Sequence, residues 1–69
     1  MLTEVFRVPD VSCEHCRHAI TRSVSRLEGV RRVDVDLDGK TVAVLYDSGR
    51  TDRQAIRAAI EEAGYDVAD

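Results

Sequence analysis

Apolar and polar positions along this chain switch between a period of two and a period near 3.6, and the switching predicts the element order βαββαβ. From Thr3 to Val8 the residues are β-formers. Leu2, Phe6 and Val8 fall on one face, with Glu4 breaking it; Val5 and Arg7 take the other. Pro9-Asp10 ends that strand, and Val11 is expected to tuck its side chain under the loop. A helical stripe follows from about Cys13 to Glu28, made of Cys16, Ala19, Ile20, Val24 and Leu27. Arg17, Arg22 and Arg26 lie on its wet side. Ser12 is the predicted N-cap and Gly29 the residue just past the C-terminus. Val33, Val35 and Leu37 then alternate with Arg32, Asp34 and Asp36 up to Asp38-Gly39, a hairpin signal, and Lys40 to Tyr46 returns. A two-residue turn would set Leu37 opposite Lys40, Val35 opposite Val42 and Val33 opposite Val44. After the Asp47-Ser48-Gly49 loop, Thr51 and Gln54 read as a capping box. A second helix follows, with the stripe Ala55, Ile56, Ala59, Ile60 and Ala63, and Gly64 closes it. Tyr65-Asp66-Val67 leaves room for a short edge strand.

This order is the split βαβ plan, an α+β ferredoxin-like sandwich. It predicts a four-stranded antiparallel sheet in the order 4-1-3-2 with both helices on one face. The loop after strand one and the loop before strand four then share an end of the sheet. Tyr65 is therefore expected beside Cys13 and Cys16.

A chain of 69 residues suffices for one domain, expected over 1–69. Two cysteines are too few for a disulfide-dense secreted scaffold. The start shows no apolar leader, and no run approaches the ~18 apolar residues of a membrane span. The chain is expected to be a free-standing cytoplasmic protein with reduced thiols. Its net charge of -3, with 10 basic residues scattered among 13 acidic ones, argues against a nucleic-acid partner. One Phe, two Tyr and no Trp leave few platforms for base stacking. Asp34, Asp36 and Asp38 could suggest a hard-cation site; the reading preferred is a solvated strand face.

The chemistry concentrates at Ser12-Cys13-Glu14-His15-Cys16. Two cysteines at this spacing can place both sulfurs on one ion, and thiolate selects Cu(I), zinc or iron–sulfur over hard cations. At a helix N-terminus a thiol ionises more readily, because unpaired N–H groups and the macrodipole favour negative charge. The stripe puts Cys16 at the edge of the core and leaves Cys13 the more exposed sulfur. Structural zinc wants four ligands, and the only nearby histidines are His15, expected to point outward, and His18, two residues from Cys16 on the helix. Two thiolates suit Cu(I) better. Zinc, cadmium or mercury remain alternatives, as does a thiol–disulfide oxidoreductase, since Cys-x-x-Cys at a helix start is also a redox motif. Tyr65 either borders the metal or seals the sheet edge.

Taken together, Ser12-Cys13-x-x-Cys16, His15, Gly29-Val30 and Ala63-Gly64-Tyr65-Asp66-Val67 resemble the heavy-metal-associated domain family, and within it the small bacterial copper chaperones. The resemblance spans essentially the whole chain. It implies Cu(I) held by Cys13 and Cys16, with Ser12, His15 and Tyr65 around them. It implies transfer by ligand exchange to a copper-exporting P-type ATPase, no catalysis, and a possible copper-dependent homodimer. Asp10-Val11 stands where the family usually carries Gly-Met. Ser12 stands where relatives handling zinc or cadmium often place Asp, which favours copper.

Overall fold

The computed structural model describes residues 1–68. The elements run β1 (Leu2–Arg7), α1 (Glu14–Ser25), β2 (Val30–Asp36), β3 (Thr41–Tyr46) and α2 (Arg53–Glu62). The sheet is antiparallel in the order β1-β3-β2. Val33 faces Val44 and Val35 faces Val42, the register that the apolar alternation requires. A bulge between Val30 and Arg32 makes Arg31 the extra residue and keeps Val30 packed against the core.

The expected fourth strand is a correction: among the described residues the sheet has three. The segment after α2 still lies along β1. Ala68 N–H donates to the Arg7 carbonyl at 2.7 Å, and Val67 is buried. Among the described residues one backbone bond places the segment; three residues are too few to build a run of them.

One sheet face carries Phe6, Val8, Val35, Val42, Val44 and Tyr46 into the core. Ile20 and Val24 of α1 and Ile56, Ala59 and Ile60 of α2 meet them there. Leu2 is on this face by register with Tyr46 but half exposed at the strand's end. Glu4, the polar break in the face, pairs with Arg53 of α2 at 3.3 Å, and the Arg53 guanidinium lies 5.1 Å from the centre of the Phe6 ring. The break is therefore where the second helix is pinned to β1.

Each helix start differs from expectation by one residue. The α2 cap is Asp52, whose carboxylate accepts the Ala55 N–H at 2.8 Å, in place of the Thr51–Gln54 box. The α1 cap is Cys13, not Ser12, and no side-chain bond caps it. The α1 helix also stops at Ser25, with a further turn before Gly29. At the other end of α2, Gly64 N–H donates to the Glu61 carbonyl and Tyr65 N–H to the Ile60 carbonyl. This is the paired closure of a Schellman turn, with Gly64 at φ +100°. Tyr65 thus leaves the helix at a fixed angle, toward the loop that follows β1.

Candidate metal centre

The loop from Val8 to Cys13 is pinned at two points and open between them. Val8 and Val11 are fully buried, and Val11 N–H donates to the Val8 carbonyl at 3.2 Å. Pro9 and Asp10 form an exposed turn in between. Val11 is the apolar tether expected from the sequence, serving where the family's methionine usually sits. With Val11 buried, the next residues emerge at the surface as α1 begins. The Cys13 carbonyl accepts the N–H groups of Cys16 and Arg17 at 3.1 and 3.3 Å, so its backbone starts the helix while its sulfur stays uncommitted to capping.

Cys16 lies one turn in, on the buried stripe above Ile20, at 8% exposure; Cys13 is exposed. Both are free thiols, and their sulfurs are 3.8 Å apart. Bonds of about 2.3 Å from an ion to each of two sulfurs tolerate a separation up to about 4.6 Å. One ion can therefore bridge the pair as it stands.

The Cys16 thiol is pulled well below the ordinary range, to about 6. The main cause is the Tyr65 hydroxyl, which donates to the sulfur. The Ser12 backbone N–H adds to it, then the Cys13 N–H and the Cys13 thiol, while burial opposes. The reciprocal effect raises Tyr65, because it gives its hydrogen bond to Cys16, is partly buried, and faces the negative charge of both cysteines. Specific donors thus prepare the thiol for metal, among them backbone N–H groups at the start of α1. The Asp10 carbonyl lies 4.0 Å from the Cys16 sulfur.

The structure brings Cys13, Cys16 and Tyr65 together across the chain, as the topology predicted. Ser12 acts through its backbone; its side chain does not cap α1. His15 and His18 are both exposed on α1, and among the described residues no third His, Cys, Asp or Glu gathers with the two sulfurs. The acidic run of β2 is otherwise engaged: Asp34 pairs with Arg32 at 2.9 Å and Asp36 accepts the Gly39 N–H at 3.0 Å. One residue near the site was missed. Lys40, read only as a turn partner of Leu37, donates its ammonium to the Val11 carbonyl at 2.6 Å. Nothing local in the sequence signals a contact across 29 positions.

A paired-thiol loop leading into the first helix of a small α+β sandwich is the hallmark of a soft-metal-binding domain. The heavy-metal-associated domain model matches residues 5–66, and the chain belongs to that family. It is 42% identical over 67 residues to the copper chaperone CopZ of Staphylococcus haemolyticus, covering 97% of this chain and 98% of that one. Among solved structures, a CopZ metallochaperone superposes with a TM-score of 0.94 at 34% identity, over 97% of this chain and 100% of that one. A putative copper-ion-binding protein from Bacillus anthracis str. Ames superposes at 0.89 with 42% identity, over 97% and 94%.

Proposed function

We propose that this protein is a cytoplasmic Cu(I) metallochaperone. It carries the ion between Cys13 and Cys16 and passes it by ligand exchange to a copper-exporting P-type ATPase. The observation that carries the reading is the pair of free sulfurs 3.8 Å apart, one exposed and one buried. Two soft donors leave the ion under-coordinated, so a thiolate of the partner can join it before a donor thiolate leaves. Cys13 is the side of approach; Cys16, buried and readily ionised, holds on. Similarity to copper chaperones over nearly the full chain supports copper as the cargo, and Ser12 in place of Asp favours it over zinc or cadmium. The ATPase partner rests on the family resemblance. Among the described residues no helix is long and apolar enough to cross a membrane. Exposed Cys13 and His15 would also be the residues to meet a second copy in a copper-linked dimer.

An oxidoreductase reading is weaker here. The thiol drawn down to about 6 is the buried one, whereas disulfide exchange needs an accessible attacking thiolate.

The test is an anaerobic Cu(I) titration with mass detection, run in chelator-buffered competition against Zn(II). One Cu(I) per chain is expected, with Cys13→Ser and Cys16→Ser each losing orders of magnitude in affinity while staying folded. Affinity that survives either substitution would refute the ligand assignment. Preference for Zn(II) would refute the cargo.

A further inference from the structure

The peptide unit joining Val11 to Ser12 is held at its oxygen. Its carbonyl accepts the Lys40 ammonium at 2.6 Å, and its N–H, that of Ser12, is among the groups that lower the Cys16 thiol. A peptide is planar, so fixing the oxygen fixes the direction of the N–H. Lys40 also grips the same loop through its own backbone, its carbonyl accepting the Val8 N–H at 2.8 Å. One residue of the β2–β3 turn therefore ties down the loop before Cys13 at two places.

The backbone of Lys40 shows that its side chain matters. Lys40 has φ +58°, the left-handed region that favours glycine, and is the only non-glycine residue to adopt it among the described residues. A glycine stands next to it, at 39, where it serves a different need. A Cβ there would sit 2.7 Å from Asp36 Oδ2, the other oxygen of that carboxylate, Oδ1, accepting the Gly39 N–H. A turn selected for backbone ease alone would put glycine at 40. The chain keeps a lysine there, and that lysine reaches the metal loop.

We infer that Lys40 is a positioning residue for the metal centre, fixing the orientation of the Val11–Ser12 peptide that leads into Cys13. Lys40 touches neither sulfur. The inference rests on the reading of Cys16 as a metal ligand for its consequence, though not for its geometry.

The two can be tested apart. In the reduced, metal-free protein, Lys40→Met should speed amide hydrogen exchange at Ser12 and Cys13 by about tenfold, the size of one lost charge-assisted hydrogen bond. The β2–β3 ladder amides of Val33 and Val44 should keep wild-type rates. Lys40→Arg, which keeps a donor, should restore slow exchange. Lys40→Gly, which removes the ammonium and relieves the turn, should match Lys40→Met at the loop while unfolding no more easily than wild type; it serves if Lys40→Met folds poorly. Unchanged exchange at Ser12 and Cys13, or an equal rise at Val33 and Val44, would overturn the inference. In the loaded protein, Lys40→Met should weaken Cu(I) binding several-fold; unchanged affinity beside a wild type that binds would overturn the positioning role. A wild type that does not bind Cu(I) would instead sink the proposed function, with the exchange rates still deciding the role of Lys40.

Discussion

Gly64→Ala isolates the turn that delivers Tyr65 to the sulfurs. Gly64 sits at φ +100°, and a Cβ built there meets no atom within 4 Å. Steric contact therefore contributes nothing, and the cost is that of holding alanine in left-handed backbone, about 1–2 kcal/mol. Alanine also narrows the unfolded ensemble, which returns about 0.4–1 kcal/mol. The expected net loss is about 1 kcal/mol. For a domain of this size that lowers the unfolding midpoint by about 4–8 °C. Circular dichroism of the reduced, metal-free protein measures it. Gly64→Asn should lose less, because asparagine visits this region more readily. A midpoint that holds or rises in Gly64→Ala would refute the reasoning. So would a loss in Gly64→Asn equal to that in Gly64→Ala.

Further outcomes follow from the low Cys16 thiol. Between about 6 and the ordinary thiol range, the unfolded chain holds a proton on Cys16 that the folded chain has released. Stability of the metal-free protein should therefore rise with pH across that window, and fall away as pH drops through about 6. Denaturant melts at stepped pH check the sign, and Cys16→Ser should flatten the dependence. Tyr65→Phe removes the largest single cause of the lowering, so the Cys16 titration, followed by thiolate absorbance in a Cys13→Ser background, should move up toward the ordinary range. Copper retention in Tyr65→Phe should change only modestly, since both sulfurs remain; complete loss of binding would mean Tyr65 has a larger role.

The apolar pattern carried most of the architecture because period and burial are local. Val33, Val35, Val42 and Val44 announce both the hairpin and its register, and Ile56, Ala59 and Ile60 announce the buried side of α2. The thiol pair was legible for the same reason: four consecutive positions define it. Cap identity was less so. Thr51 and Asp52 are both good capping residues, and only the geometry at Ala55 decides between them. The fourth strand was overestimated because a β-like composition over Tyr65–Val67 says nothing about how many ladder bonds so short a piece can form. Lys40 was invisible because its role depends on a backbone angle and on a carbonyl far away in sequence.

The two helices open differently, and the difference bears on the proposed exchange of cargo. A carboxylate of Asp52 ties down the first turn of α2, whereas the first turn of α1 carries no comparable fastening. That slack lies where, in the proposed exchange, the sulfurs would be free to part from 3.8 Å toward the roughly 4.6 Å of a straight two-bond bridge and to close again when a third thiolate arrives. The sulfur of Cys13 can make that excursion without breaking a helix-cap bond. The helix thus forgoes a fastening at its threshold, and in the proposed transfer the pair would gain freedom to change coordination angle.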